Sequence, residues 1–524
     1  MLLKTVQPWL LAALSGILGF LGYIGYDLFY LEWIFLIPLF RAIRVQSPGR
    51  SFYLGWLAGT IAYGGGTYWF VHLLTAFSGM NFFFGLIGLI LFAAYYGLLF
   101  ALFAWAVSFM RQRKGWGFWW TAPLIWTALE NLYPLVFPVY IGASQYSLIP
   151  LTQIADITGI LGISFLLISC NATLYHLLES LADRKKIPFR EMAVFGIMIA
   201  VAAGYGFFRI RQIDRETASA PRKKVVMVQA GLGEAMKYKD PWVFFRLHRE
   251  MSLEPAAQKA SQDADLMIWP ESVIAVPISR SLQKLPGELF GDIDIPILFG
   301  TITAERTAGG VRKYTSAMLI DEDDHVLGVY DKRILVPFGE YVPLGNLFPA
   351  LYKWSPYISR FVPGTRKTPF SFQGYRFSVN ICYEDLFGGV VRENMCADIA
   401  SGNPLPHMIV NLTNDSWYGD TIEPMEHLVH ASFRAIEHRR PLVRSTNTGI
   451  SAIVDPVGRI QKRTGQRTRE ILAGEVPMMT GRTIYSYVGN AFGILVSCIS
   501  VILLGYSFFY KSQNSDMKKT VFFH

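Results

Sequence analysis

Hydrophobic and polar positions divide the chain into two textures. Residues 5–26, 51–110, 157–178, 193–208 and 483–510 contain no Asp, Glu, Lys or Arg, whereas 211–482 is charged and punctuated like a globular domain. A hydrocarbon layer about 30 Å thick is crossed by about 20 apolar residues in helical form. On that measure spans are expected at roughly 6–25, 27–43, 117–137, 157–179, 190–210 and 485–509, and two more in 51–110 with a break near Ser78-Gly79-Met80-Asn81. The expectation is eight spans, seven before the globular part and one after it. The second and fifth carry Glu32 and Glu130. A carboxyl at membrane depth is costly and faces protein or water, so Glu130 reads either as functional or as a hydrogen-bonded helix-end residue.

Within 211–482 the period changes. Apolar residues alternate with polar ones at Phe377, Val379 and Ile381, and then the chain breaks into Cys382-Tyr383-Glu384-Asp385, the pattern of a strand and its end. Further strands are expected at 224–229, 264–269, 296–300, 314–320, 325–330, 407–412, 442–445, 451–455 and 471–476, after a polar linker Glu216–Lys224. Strands 314–320 and 325–330 flank an acidic turn and read as a hairpin. Helical patterns fall at 242–259 and 424–438. Strands interleaved with helices and hairpins describe a mixed α/β sheet covered by helices. The domain organisation expected is 1–210 transmembrane, 211–482 globular, and 483–524 a last span with a tail.

Charge adds orientation. The chain is 52% hydrophobic and only 17% charged, with a formal net charge of +9. Basic residues cluster at Lys4, at Arg41, Arg44 and Arg50, at Arg111, Arg113 and Lys114, at Arg184–Arg190, and at Lys511, Lys518 and Lys519. The loops near 26, 76–82 and 138–152 contain no Lys or Arg. Every basic loop falls on one side of the expected topology, so both termini are expected in the cytoplasm and 211–482 outside it. The positive balance is then a topology signal. No zinc-finger spacing, phosphate loop or basic-aromatic RNA motif accompanies it, which argues against nucleic acid. The first apolar segment lacks a small-x-small cleavage site and reads as retained. Of four cysteines, Cys170 and Cys498 lie in expected spans. Only Cys396 is left to pair with Cys382, and Cys382 is expected to stay free.

Strand ends carry the chemistry. One expected strand stops at Trp269-Pro270-Glu271, another at Tyr330-Asp331-Lys332, a third at Cys382, and a fourth at Asn411–Gly419, which includes Trp417 and Tyr418. A thiol of ordinary pKa is only slightly ionised at neutral pH. Glu271 can take its proton, and Lys332 can stabilise a thiolate and then an oxyanion. Singly, each of these charges reads as a solvated surface group. Jointly, each ending an apolar strand, they read as an acid–cation–thiol site.

The ordered motifs WPES, YDKRILVPFGEYVP, NICYED, NDSWYGD and RAIEHRRPLVRSTNTGISAIVDPVG resemble the nitrilase, or carbon–nitrogen hydrolase, superfamily. With PFGEYVP, eight expected spans, and the run Tyr140–Gln145 through Gly159–Gly162, Ser164 and Asn171, the whole chain resembles the bacterial apolipoprotein N-acyltransferases. The resemblance implies an αββα sandwich inserted into an eight-helix transmembrane bundle. It places a Glu-Lys-Cys triad at Glu271, Lys332 and Cys382, with Glu340, Tyr383 and Glu384 in support. It also implies an aromatic lid residue after the first strand. Tyr238 stands there, with one residue more before Asp240-Pro241 than the pattern has.

By the same resemblance the activity is ping-pong acyl transfer. An acyl chain of a glycerophospholipid passes through a Cys382 thioester to the N-terminal amine of a diacylglyceryl-cysteine apolipoprotein. No cofactor, metal or nucleic acid is implied. The expected state is a monomer in the bacterial inner membrane, with the catalytic domain in the periplasm. Lipid substrates call for a site beside the bilayer, and Trp354–Phe361, Trp417 and Tyr418 are candidate rim or substrate-contacting elements, or else ordinary packing. Alternative readings are a membrane-tethered amidase, a multispan transporter with an extracellular binding domain, and an acyltransferase with another amine acceptor.

Overall fold

The computed structural model describes residues 2–78, 80–233, 236, 239–287, 289–308, 310–345, 347–348, 350, 360–367 and 369–509. Helices come first, at Leu2–Gly22, Ile37–Ile43, Pro48–Gly66, Phe70–Ser78, Phe82–Lys114, Phe118–Leu132, Leu161–Ala182 and Phe189–Ser219, and a last one runs Ala491–Phe509. Among the described residues, four are long and apolar enough to cross a membrane: Phe82–Lys114, Leu161–Ala182, Phe189–Ser219 and Ala491–Phe509.

Two expectations need correction here. The stretch 27–43 is not one helix but a short 3-10 turn, Phe29–Trp33, followed by the seven-residue helix Ile37–Ile43. Asp27 turns the chain at φ 59°, and Pro38 fits only a helix start. Side chains satisfy the irregular backbone. Asn171 accepts from the Leu36 N–H at 2.8 Å and donates to the Glu32 carbonyl at 2.8 Å, and Gln145 donates to the Phe29 carbonyl at 3.0 Å. Non-helical backbone in an apolar bundle needs such partners. The polar linker is also shorter than read, because the helix from Phe189 runs to Ser219 and the first strand opens at Arg222. Glu130 resolves towards the bland reading, since its Oε1 accepts the Ile141 N–H at 2.9 Å near the end of the helix Phe118–Leu132.

The globular part has two sheets. The strands are β1 Arg222–Gln229, β2 Leu266–Ile268, β3 Ile274–Ser279, β4 Ile297–Thr307, β5 Gly310–Ile320, β6 Val326–Asp331, β7 Phe370–Phe372, β8 Tyr375–Ile381, β9 Met408–Thr413, β10 Leu442–Thr446, β11 Ala452–Val454, β12 Ile460–Arg463 and β13 Glu470–Pro477. The first sheet runs β13-β1-β2-β4-β5-β6, with β3 also on β4; the second runs β12-β11-β10-β9-β8-β7. Period-two alternation sorts their side chains into layers. Val225, Met227, Ile268, Leu298 and Leu319 of the first sheet meet Val379, Ile381, Val410, Leu412 and Val443 of the second in one core. The outer face of the first sheet (Val228, Met267, Phe299, Met318) packs on Phe245 and Met251 of the helix Val243–Leu253. The outer face of the second (Ile409, Leu442, Val454) packs on the helices Gly388–Met395 and Glu423–His438. The order is therefore helix, sheet, sheet, helix. The single helix expected over 242–259 is two, because Pro255 cannot continue it and opens a second at Pro255–Ser261. The hairpin of β5 and β6 is present. β7 and β12, of three and four residues, are too short to print a period, and Pro277 interrupts the one in β3.

Candidate active site

β2, β6, β8 and β9 all end towards one edge of this four-layer domain, and each delivers a polar group there. Two residues past β2, Trp269-Pro270 leads to Glu271. A side chain at Gly300 on the neighbouring β4 would come within 2.5 Å of the Glu271 Cα, so glycine is what lets the carboxyl-bearing turn lie flat on the sheet. Lys332 follows β6 directly. Its Nζ lies 3.1 Å from Glu271 Oε1 and 3.0 Å from Glu340 Oε2, and its side chain is 1% exposed. Glu340 is itself fixed, accepting from Thr315 Oγ1 at 2.9 Å and from the Val336 N–H at 2.8 Å. An ammonium this deeply buried keeps its proton only because carboxylates flank it. Burial pulls its pKa down, and Glu271 and Glu340 carry it well above the ordinary lysine value.

Cys382 is the first residue after β8 and opens a 3-10 turn, Cys382–Leu386, with φ +49°. Left-handed backbone at a non-glycine residue costs energy and is kept where the surroundings enforce it. The enforcement comes from Glu384. Its Oε2 accepts the Ile381 N–H at 2.8 Å, and its Oε1 accepts the Arg333 N–H at 2.6 Å and the Ile334 N–H at 3.2 Å, with the Tyr330 hydroxyl donating at 2.9 Å. One carboxylate thus ties the backbone beside Lys332 to the backbone beside Cys382. Burial pushes the Cys382 thiol well above its ordinary pKa and the charges of Glu271 and Asp415 add to that, while Lys332 and the Thr413 side chain oppose it. The resting group is the thiol, not the thiolate.

Tyr383 points away from this polar cluster, donating its hydroxyl to the Val136 carbonyl and packing on Phe137 and Phe387 with ring centroids 5.6 and 4.9 Å away. Tyr418 stacks edge-on against Trp69 at 5.2 Å, and Trp417 packs on the same core half-buried. Trp69 and Phe137 belong to the helical part, so both parts of the chain build the apolar wall beside the thiol. Tyr238 and the segment 354–359 lie outside the described residues. Cys382 and Cys396 are both free thiols. An open groove of about 910 Å³, lined by Arg280, Arg306 and Arg366 among others, includes none of these site residues.

Sequence reading missed a second layer. His427, on the helix Glu423–His438, lies between Asp385 and Asp415, with Nε2 2.9 Å from Asp385 Oδ1 and Nδ1 3.0 Å from Asp415 Oδ1. Arg444 in β10 donates to the other oxygen of each, both at 3.0 Å. The signal was present: an arginine in the middle of an apolar strand, Leu442–Thr446, is buried and must have partners. Asp415, Glu423 and His427 bring ligand atoms within 4.8 Å of one another. Both nitrogens of His427 and both oxygens of Asp415 are already used, however, and a cation there would compete with Arg444.

Comparison with known proteins matches residues 15–173 to the family described as the apolipoprotein N-acyltransferase N-terminal domain. Residues 224–485 match the carbon-nitrogen hydrolase family. An apolipoprotein N-acyltransferase of Geobacter metallireducens is 31% identical over 499 residues, covering 92% of each chain. One of Pseudomonas syringae is 29% identical over 494 residues, covering 91% of this chain and 92% of the other. Among solved structures, a nitrilase-superfamily member of Saccharomyces cerevisiae aligns with TM-score 0.36 at 17% identity, over 49% of this chain and 90% of the other. An amidase from Nesterenkonia aligns with TM-score 0.34 at 20% identity, over 49% and 90%.

Proposed function

The chain belongs to the apolipoprotein N-acyltransferase family, and on that premise we propose that Cys382 carries the acyl group, with Glu271 as proton shuttle and Lys332 as oxyanion stabiliser. In the first half-reaction Glu271 takes the thiol proton as sulfur attacks the ester carbonyl of a glycerophospholipid. The tetrahedral oxyanion forms beside the Lys332 ammonium. It collapses with cleavage of the ester C–O bond, Glu271 returns the proton to the departing oxygen, and a lysophospholipid leaves a thioester on Cys382. In the second half the α-amine of the diacylglyceryl-cysteine acceptor attacks the thioester. Its proton passes through Glu271 to the leaving sulfur, and the product is an amide.

The observation that carries this reading is the buried ammonium of Lys332, 3.1 Å from Glu271 and beside the strained turn of a protonated thiol. A thiol that is not ionised at rest needs a base, and Glu271, whose charge acts on the thiol, is paired with the Lys332 ammonium. Glu340 and Glu384 are positioning residues in this reading, acting through Lys332 and through the Cys382 turn. Tyr383, Trp417 and Tyr418 line the approach of the acyl chain. That the wall includes Trp69 and Phe137 supports access from the lipid side, since moving acyl chains through water costs about 0.8 kcal/mol per CH₂.

We propose further that the helices anchor the chain in the inner membrane with 211–482 in the periplasm. Support comes from where charges meet. Arg44 and Arg111 reach Glu179 at 2.7 and 3.5 Å, and Lys114 lies 3.5 Å over the Tyr506 ring. The basic loops therefore gather at one end of the helices, and the contacts with Tyr383 and Tyr418 at another.

The test is intact-mass analysis of the purified protein after incubation with phospholipid. A single acyl adduct on Cys382, cleared by a diacylglyceryl peptide with a free amine and absent in Cys382→Ser, is expected. An adduct that persists in Cys382→Ser overturns the assignment. Release of the acyl group only as free acid would favour a hydrolase.

A further inference from the structure

Behind the thiol lies the closed ring already described, and its geometry settles its protonation. Each nitrogen of His427 faces a carboxylate oxygen, at 2.9 and 3.0 Å. Ionised carboxylates only accept, and Asp415 is kept ionised against burial by Arg444 and His427, so both nitrogens donate and the ring is an imidazolium. Arg444 closes the circuit through the remaining two oxygens at 3.0 Å each, and its Nη1 also donates to Asn411 Oδ1 at 2.8 Å. Two anions and two cations, each 3% exposed or less, sum to zero. Isolated, any one of them would be expensive at this depth; closed into a ring, every carboxylate oxygen has a charged donor.

The ring's position gives it a use. Asp385 lies in the same 3-10 turn as Cys382. Asp415 lies two residues after Thr413, whose hydroxyl is 3.4 Å from Asp415 Oδ1, and Asn411, which accepts from Arg444, donates to the Cys382 carbonyl at 3.3 Å. We infer that the ring Asp385–His427–Asp415–Arg444 is a positioning and charge-setting device for Cys382, clamping the thiol-bearing turn to the Thr413 turn while presenting no net charge to the sulfur. The inference rests on Cys382 being the nucleophile.

The other charges near the ring leave that sum intact. From its own helix Glu423 and Glu426 face the ring. Burial raises both, Glu423 well above the ordinary carboxylate value and Glu426 to about 8, so both are displaced towards the neutral form. A turn further on, burial lowers His430 to about 4, leaving it neutral, and Arg434 is paired with Glu437 at 2.9 Å. Across the thiol stand Glu271 and Lys332, themselves paired. Burial opposes charging His427, but Asp385 and Asp415 hold it at about 10.

Removing one ring member therefore changes the field at the sulfur with a known sign. His427→Gln leaves the ring at −1 and disfavours thiolate. Asp415→Asn removes the anion nearer the thiol, and the double variant returns the ring to zero. The test is the pH profile of Cys382 alkylation by iodoacetamide in the full-length protein in detergent, read by peptide mass, together with acyl transfer. His427→Gln is expected to raise the alkylation midpoint by about one pH unit, a roughly tenfold slower reaction below it. His427→Gln/Asp415→Asn is expected to return to within a few tenths of the wild-type midpoint, and Asp415→Asn alone to lie below it. Should His427→Gln not accumulate folded, the Asp415→Asn midpoint decides by its sign. A midpoint that stays put in His427→Gln, or that fails to fall in Asp415→Asn, overturns the inference. Alkylation needs no lipid, so failure here leaves acyl-adduct formation standing, and failure of the adduct leaves the alkylation result interpretable.

Discussion

Lys332 is a charge kept where water does not reach, and its surroundings say what its loss does. Lys332→Met would leave Glu271 and Glu340 facing each other across a buried gap with no cation between them. Breaking a buried ion pair from one side costs about 3–5 kcal/mol, so the variant is expected to unfold at markedly lower temperature. It is also expected to lose acyl transfer. Adding Glu340→Gln removes one of the opposed carboxylates and is expected to restore much of the thermal midpoint, but none of the transfer. Stability separated from activity in this way marks Lys332 as acting on the reaction itself. A Lys332→Met protein as stable as wild type, or transfer recovered in the double variant, would contradict it.

At the scale of elements, the helix Glu423–His438 shows how burial overrides a local preference. Its first turn carries Glu423 and Glu426, where the helix dipole favours anions, yet the whole turn is buried against the helical part. Among the described residues the Glu426 carboxyl accepts only from Trp69 Nε1, at 3.2 Å, and desolvation lifts it from 4.5 to about 8. The sign follows directly. Between these values the folded state holds a proton that the unfolded chain has released, so stability falls as pH rises from about 4.5 to about 8, by a few kcal/mol in all. Glu426→Gln keeps an acceptor for Trp69 and removes the titration. Its thermal midpoint is expected to exceed that of the wild type at pH 8.5 and to match it near pH 5. A difference independent of pH would reject the assignment.

The same element also shows what was legible in the chain and what was not. Val379 and Ile381 announced β8, and Pro424 to His438 a helix, because alternating and amphipathic patterns print their period on the sequence even though Ser378, Asn380 and the polar face of the helix are buried too. Glu271, Lys332 and Cys382 were readable because each ends such a strand. The 27–43 stretch misled because its apolarity reflects burial among other helices, while Pro38 and side-chain partners such as Asn171 make its backbone irregular. The ring was hidden for a different reason. Asp385, Asp415, His427 and Arg444 were all in plain view, but a charge prints no period, and which ones meet is decided by strand register. Arg444 lies opposite Asn411 in the β9–β10 ladder, and that pairing is what brings it between the two aspartates.

Across the whole molecule the question is how the helical and sheet parts are held in register, since the apolar wall at the thiol draws on both. Away from the site, Asp156 Oδ2 accepts from Arg439 at 2.8 Å and from Arg209 at 3.0 Å, and its Oδ1 accepts from the Tyr205 hydroxyl at 2.7 Å. Arg439 ends the helix Glu423–His438 and also donates to the Gln153 carbonyl at 3.1 Å. One buried carboxylate therefore locks three segments together. Asp156→Asn leaves two guanidinium groups without their anion, a loss of about 3–5 kcal/mol concentrated at this seam. The triad residues share no partner with it, so Cys382 alkylation is expected to stay within about twofold of wild type, as distant sites do. Acyl transfer from phospholipid bilayers depends on Trp69 and Phe137 staying against Tyr383 and Tyr418, and small misplacements at a site are costly. It is expected to fall by roughly tenfold or more, with faster hydrogen exchange in 149–158 and 452–460. If exchange rises there and transfer does not fall, the two parts need not be rigidly joined for lipid delivery, and the wall must be held by contacts at the site itself, such as Tyr383–Val136 and Trp69–Glu426.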